Sequence, residues 1–339
     1  MHEVSSAKAT TDPRDEAPFD KGLIAGDFVR PFLLEIPGLL GRLVRLGPVV
    51  DTVLTRHDYP EPVARLLGEF LALAGTLSSL LKYQGTFTLQ TKGDGPVRLM
   101  VADVTSDGEL RGYAEVDPAG LEMARAAEGG PEAPGVVAEV ARWLGSGYMA
   151  FTVDLAPDGE RYQGIVELTG DSLADCVNHY FRQSEQLKTG FKLTAGRGAG
   201  KWRAGALFLQ QMPESGGAWT PGLPGEPEEI VLGSSEEDDW RRALAFMASC
   251  SDEELLSETL AADDLLYRLF HEERVRVYRV RPLSLGCRCS RARLETVLRS
   301  LPPDEVREMT VDGEVVMTCQ FCNVDFRFND AALDDIYAS

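Results

Sequence analysis

At 339 residues, with 44% hydrophobic and 26% charged side chains, the chain is long enough for a sizeable core and for more than one domain. Its 54 acidic against 34 basic residues give a formal net charge of −20, which argues against a nucleic-acid footprint or an anionic membrane surface as its partner. No run reads as a transmembrane helix, because the apolar stretch from Phe32 to Leu46 is broken by Glu35, Pro37, Gly38 and two arginines.

Residues 1–26 carry Asp, Glu, Lys and Pro with no apolar stretch of signal-peptide type, and read as a disordered tail. Phe28 to Leu46 reads as extended chain with a break around Pro37-Gly38. Arg56-His57-Asp58-Tyr59 reads as a turn, after which Pro60-Glu61-Pro62 opens a long helix over Val63 to Leu81. Leu66, Leu67, Phe70, Leu71, Ala74 and Leu77 fall on one side of it. Thr86 to Thr91, Val97 to Val104 and Leu110 to Val116 follow as strands. Gly93-Asp94-Gly95-Pro96 and Ser106-Asp107-Gly108 separate them, which predicts an antiparallel meander. Residues 118–135 are rich in Ala, Glu, Gly and Pro and read as an insertion with one short helix. A helix over Val136 to Leu144, strands over Tyr148 to Asp154 and Tyr162 to Leu168, and a helix from Ser172 to about Gln186 come next. Phe191 to Ala195 and Trp202 to Met212 form a last strand pair. Irregular alternation with hairpin connections predicts an α+β fold.

Composition then divides the chain. Residues 27–212 read as an N-terminal α+β core domain and 213–239 as a Pro/Gly/acidic connector. Residues 240–281 read as a linker of short helices, with elements over Trp240 to Cys250, Asp252 to Leu260 and Asp263 to His271. Residues 282–339 read as a small cysteine module. Short charged helices have little stability alone. The expectation is that they pack on the module and lose that partner if it unfolds.

The module carries Cys287 and Cys289 as C-x-C and, after a 29-residue gap, Cys319 and Cys322 as C-x-x-C. Two close pairs offer four thiolates, which suit tetrahedral zinc. Such a closed site leaves no position for a reacting water, so hydrolytic zinc chemistry is excluded and a structural or a redox role remains. Arg288, Arg291 and Arg293 are expected to draw nearby thiols toward the thiolate, the form that binds metal and is oxidised. A module of under sixty residues should owe most of its folding to the metal. Cys176 and Cys250 lie among apolar residues on predicted helices and read as inert core residues. Six cysteines without a signal peptide point to the reducing cytoplasm.

Other motifs fail in detail. In Gly196-Arg197-Gly198-Ala199-Gly200-Lys201, Ala195 stands where a phosphate loop needs its first Gly, and Trp202 where it needs Ser or Thr. A glycine-rich hairpin is the better reading. His57, His179 and His271 belong to no catalytic set, and the chain is not expected to be an enzyme. Glu160 to Val166 and Tyr180 to Leu187 mix aromatic and polar residues; they read as a strand rim and an amphipathic helix, or else as a client surface.

With these residues in view, the chain resembles the 33 kDa chaperonin (heat shock protein 33) family of redox-regulated holdase chaperones. The resemblance runs from Asp27 onward through Arg45-Leu46-Gly47-Pro48-Val49, His57-Asp58-Tyr59-Pro60, Gly93-Asp94-Gly95-Pro96, Glu160-Arg161-Tyr162-Gln163-Gly164-Ile165-Val166 and Tyr180-Phe181-Arg182-Gln183-Ser184-Glu185-Gln186. It ends on the four cysteines. It implies that Cys287, Cys289, Cys319 and Cys322 hold one zinc ion in a reduced, inactive, cytoplasmic monomer. It further implies oxidation to Cys287–Cys289 and Cys319–Cys322 disulfides, zinc loss and unfolding of module and linker. A homodimer then binds unfolding client proteins without ATP. The tail, residues 118–135 and residues 213–235 look like additions to the family's usual length. Two other readings stay open: a redox-insensitive zinc-ribbon interaction protein, and a thiol oxidoreductase. The last fits poorly, because the strand pattern Val324 to Phe328 follows the C-x-x-C where a helix would be needed.

Overall fold

In strands β1 (Phe28–Leu34) and β2 (Leu39–Leu46), apolar side chains point both ways, so this hairpin must be covered on both faces. The computed structural model describes residues 17–35, 38–126, 139–155, 159–211 and 234–338. The expected tail up to residue 16, residues 127–135 of the insertion, the first three residues of the helix expected from residue 136, and the connector up to residue 233 lie outside the described residues.

Helix α1 (Pro48–Arg56) follows β2 where the sequence reading had no element, and His57 closes it. Pro48 at its first turn opens it, and the buried Val49, Val50, Val53 and Leu54 recur at helical spacing along it. Helix α2 (Glu61–Ser78) is buried on nearly all sides, as a helix apolar around most of its circumference must be. It lies between two sheets. Sheet two begins with the expected meander of β3 (Gly85–Gly93), β4 (Val97–Thr105) and β5 (Glu109–Val116). Helices α3 (Pro118–Ala126) and α4 (Glu139–Trp143) lead into β6 (Gly147–Leu155) and β7 (Arg161–Glu167), which extend sheet two in the order β5-β4-β3-β6-β7. Helix α5 (Leu173–Ser184) is fixed by a capping box between Ser172 and Asp175.

Strands β8 (Thr189–Gly198) and β9 (Lys201–Gln211) turn through Ala199 and Gly200, both at positive φ, so the glycine-rich stretch is a hairpin as expected. Strand β9 pairs antiparallel with β2, which joins the first and last hairpins into sheet one. Gly68 and Gly112 let α2 meet both sheets closely. A Cβ at Gly68 would lie 2.7 Å from Ala195 Cβ of sheet one, and one at Gly112 would lie 2.7 Å from Leu71 Cδ2 of α2.

Helices α6 (Ser234–Ser249), α7 (Asp252–Leu255) and α8 (Ala262–Phe270) follow. Helix α6 starts at Ser234, inside the stretch read as a connector, so the acidic run Glu236 to Asp239 falls in its first two turns, where the helix macrodipole favours negative charge. Helix α7 ends five residues before the expected Leu260. These helices do not pack on the cysteine module. Trp240, Met247, Leu265, Leu266 and Phe270 instead close a core against Phe28, Phe32, Leu43 and Leu207 on the outer face of sheet one. The covering elements also carry a buried ion pair, in which Arg30 of β1 meets Asp263 of α8 through Nε and Nη2. The same guanidinium donates to the Tyr278 carbonyl, and Asp263 accepts from the backbone of Asp20.

The chain returns through three very short strands. β10 (Val275–Val277) and β11 (Arg281–Pro282) add to β1, and β12 (Ser284–Leu285) pairs parallel with β5 at the edge of sheet two. The rest comprises α9 (Arg291–Arg299), α10 (Pro303–Glu308), a β13 (Glu314–Thr318) and β14 (Asp325–Asn329) hairpin, and α11 (Asp330–Ala338). Their core is separate and holds six buried side chains, Leu298, Val306, Val315, Phe328, Leu333 and Ile336. The fold is α+β, as the sequence reading expected. Among the described residues no helix is long and apolar enough to cross a membrane.

Removing one partner of a buried ion pair leaves an uncompensated charge. Asp263→Ala is therefore expected to destabilise the chain by about 3–5 kcal/mol. The double change Arg30→Met with Asp263→Leu should cost much less. Urea unfolding of both variants checks this.

Candidate metal centre

The four module cysteines converge. Their sulfurs all lie within 4.8 Å of one another. Cys287 Sγ stands 3.2 Å from Cys289 Sγ and 3.6 Å from Cys319 Sγ, and Cys289 Sγ stands 3.4 Å from Cys322 Sγ. All four are free thiols. Metal–sulfur bonds of about 2.3 Å in a tetrahedron place sulfurs about 3.8 Å apart. Four soft donors at this spacing can hold a metal ion of that size, and the donor chemistry fits zinc.

Two tight turns present the sulfurs. After the second pair, Asn323 takes a left-handed conformation with φ of 53°, which Asn tolerates better than most residues. Its N–H donates to the Cys319 carbonyl over 2.8 Å, and the Cys319 N–H donates to the Val324 carbonyl over 3.0 Å. The turn is thereby closed around Gln320 and Phe321. The first pair follows directly on β12, where the Gly286 N–H donates to the Leu110 carbonyl.

Burial pushes the Cys287 thiol up, but hydrogen bonding to the Cys289 backbone and to the other three thiols outweighs it and holds this thiol at about 7. Burial is also the first cause that raises Cys289 and Cys322. The arginines expected to favour thiolates are engaged elsewhere. Arg288 Nη2 donates to Thr86 Oγ1 over 2.9 Å, Arg293 to the Arg288 carbonyl, and Arg291 to Glu295 and the Arg327 carbonyl. Arg291 also lies over the Phe328 ring, 4.3 Å from its centroid. The thiol cluster and the backbone around it, rather than these arginines, hold Cys287 low.

The two cysteine turns are docked on the outer face of sheet two. Phe321, inside the C-x-x-C, packs between Arg111 and Tyr113 of β5. The Arg111 guanidinium lies 3.8 Å from the Phe321 ring centroid, and the Tyr113 ring meets it edge-on at 4.9 Å. Asp103 holds Arg111 in place, accepting from Nε at 2.9 Å and Nη2 at 2.6 Å. His57 Nε2 sits 3.4 Å from the Phe321 carbonyl, with its ring stacked on Tyr59; burial lowers its pKa. Asn323 Nδ2 donates to the Arg56 carbonyl over 2.8 Å. The sequence reading missed Phe321, Asn323, Arg111, Tyr113 and the docking role of His57 and Arg288. One signal was present: a Phe between two thiol donors cannot enter the module's own core and needs a surface to rest on.

Cys176 and Cys250 stand apart and are buried. Burial raises both thiols, Cys176 to about 11, and the Cys176 thiol donates to the Thr169 carbonyl. They are the inert core residues expected. Tyr180 and Phe181 are buried in the main core, whereas Arg182, Gln183 and Ser184 after them are exposed and Ile165 on β7 is 59% exposed.

Comparison with known proteins agrees with the geometry. The family model described as Hsp33 protein matches residues 27–329. A 33 kDa chaperonin from Caulobacter vibrioides is 40% identical over 318 residues, covering 91% of this chain and 96% of its own length. One from Escherichia coli is 34% identical, covering 91% and 94%. The crystal structure of a 33 kDa chaperonin (heat shock protein 33 homologue) from Thermotoga maritima matches with a TM-score of 0.70. It covers 93% of this chain and 98% of that one at 20% identity, a likeness of fold.

A thiol reacts through its thiolate. Alkylation of metal-free protein with iodoacetamide is therefore expected to mark the four module cysteines, freed with the unfolding module, before Cys176 and Cys250, whose thiols burial raises. Mass spectrometry across pH 6 to 9, as roughly spans the thiol range, reads this; equal labelling at neutral pH would contradict it.

Proposed function

The chain belongs to the Hsp33 family of 33 kDa chaperonins, and from that premise we propose that it is a redox-regulated, ATP-independent holdase. Its reduced, zinc-bound form is inactive in this reading. In the same reading residues 27–212 are the client-binding core, 213–239 a connector, 240–281 a cover and 282–339 a sensor holding zinc through Cys287, Cys289, Cys319 and Cys322. The protein acts in the cytoplasm on unfolding client chains, as a homodimer once oxidised.

One observation carries the proposal. The thiol cluster begins two residues after β12, and the short strands β10 to β12 connect it directly to helices that cover an apolar sheet face. Zinc, when bound, ties the two cysteine turns together and supplies folding free energy that six buried apolar side chains cannot supply for a module of this length. Two molecules of peroxide take four electrons from the four thiolates. Each pair, Cys287 with Cys289 and Cys319 with Cys322, closes one disulfide, and the peroxide oxygens leave as water or hydroxide. Thiolates consumed in this way no longer hold the turns together. Phe321 and Arg288 then lose the backbone that aims them at sheet two. Next in line are β12, paired over two residues, and then β11 and β10, also short. Once these strands open, α6 to α8 are tethered to the sheet only through their own contacts. Their departure uncovers Phe28, Phe32, Leu43 and Leu207, an apolar face for client binding.

Metal-loaded protein treated with peroxide is expected to release zinc, lose hydrogen-exchange protection over Trp240 to His271 and suppress aggregation of a denatured client. Retention of zinc under peroxide would favour a purely structural site. Unchanged protection of the helices in active, oxidised protein would refute the cover mechanism.

A further inference from the structure

The outer face of sheet one is basic as well as apolar. Four of its strands, β1, β2, β8 and β9, place a cation on that face, and no strand of the sheet carries Asp or Glu, in a chain whose net charge is −20. Strand alternation places Arg30, Arg45, Lys192 and Arg203 on the covered face beside Phe32, Leu43 and Leu207. The segment lying on that face has the opposite character. Residues 234–273 contain twelve acidic and three basic residues between their apolar anchors.

The match is made contact by contact. Arg30 pairs with Asp263, and Arg203 with Glu258. Lys192 Nζ reaches Asp252 at 3.0 Å, and Lys188 Nζ, just before β8, reaches Glu237 at 2.5 Å. Arg45 donates to the carbonyls of Glu254, Leu255 and Leu260 at 3.0, 3.0 and 2.6 Å, gathering the C-terminal end of α7 and the turn after it onto the sheet. The covering segment thus satisfies the sheet with apolar side chains, carboxylates and backbone carbonyls together. When it leaves, the cations remain on the sheet beside the apolar residues, with no carboxylate of the sheet's own strands to neutralise them.

We propose that the client class of this face is the acidic amphipathic segment: an unfolding stretch whose apolar residues are interspersed with Asp and Glu, for which residues 234–273 act as a built-in stand-in. The inference rests on the reading that α6 to α8 leave the sheet after oxidation. It adds a charge preference that an apolar surface alone would lack, since like charges repel basic segments and opposite charges fix orientation and raise encounter rates.

The test uses the full-length oxidised chain and three synthetic peptides followed by fluorescence anisotropy. One has the sequence of residues 252–273, the second replaces every Asp and Glu in it by Lys, and the third replaces its Leu and Phe by Ser. The first is expected to bind roughly tenfold more tightly than either of the others at low salt, with its lead over the Lys peptide shrinking as salt is added. In Lys188→Glu with Lys192→Glu, two partly exposed positions, that lead should narrow while circular dichroism of the reduced protein stays unchanged. Equal affinity for the acidic and Lys peptides would overturn the charge preference, and equal affinity for the Ser peptide would overturn its apolar half. An undiminished lead in the double variant would overturn the assignment to this face. Equal peptide affinities with aggregation still suppressed would sink this inference alone. Oxidised protein that binds no peptide and suppresses no aggregation would sink the redox reading with it.

Discussion

Sheet one is apolar on both sides, and the arrangement of the rest follows from that. Its inner face rests on α2, which sheet two covers from the other side, so the two sheets and one helix satisfy each other. Among the described residues of 27–211, nothing forms such a layer on the outer face. Fully burying side chains such as Phe28, Phe32, Leu43 and Leu207 is worth about 1.5–3 kcal/mol each, so this face represents on the order of 10 kcal/mol of gross stabilisation. That is comparable to the net stability of a whole domain. A sheet that stood bare would aggregate or find another surface, and the later part of the chain provides one.

The C-terminal third covers both outer faces in different ways. On sheet one the contact is broad, with a shared apolar core, the buried Arg30–Asp263 pair and the carbonyls gathered by Arg45. On sheet two it is narrow and local: Phe321 between Arg111 and Tyr113, Arg288 on Thr86, and Asn323 on the Arg56 carbonyl. Each of these last side chains lies within or beside a cysteine pair. Their positions are therefore only as fixed as the thiol cluster, whereas the sheet-one contacts do not pass through it.

Much of this was legible in the sequence where the signal is local. Hairpin glycines, strand alternation and the Ser172 cap mark elements that form where the pattern puts them, and the cysteine spacing marks four sulfurs that do meet. What stayed hidden depends on distant pairings. Nothing near Leu39 or Gln211 announces that β2 and β9 lie side by side, and strands of two or three residues such as β10 to β12 are too short to carry a period. The linker helices were assigned the wrong neighbour for the same reason. Their amphipathic pattern says that one face is buried but not against what, and the face they cover exists only once β1 and β2, far upstream, pair with β9. The thiol electrostatics were misread in a related way: Arg288 and Arg291 are close in sequence, yet their guanidinium groups are taken by Thr86 and Phe328.

The separation of the two covers bears on how the proposed switch is graded. The module core and the linker core share no residue, and along the chain the short strands β10 to β12 lie between them. Loss of the metal removes what holds the module and its docking side chains, and the cover is then held by its own contacts alone, those of Trp240, Leu266 and Phe270 with sheet one. Those contacts weaken when the chain is heated or otherwise driven toward unfolding, the conditions under which clients also lose structure. A cover held jointly by a redox-sensitive anchor and by its own packing is therefore loosened by oxidation and opened further by unfolding stress. The acidic side chains of that cover sharpen the division: their pairing with Arg30, Lys192 and Arg203 adds to the closed state without involving the sulfurs.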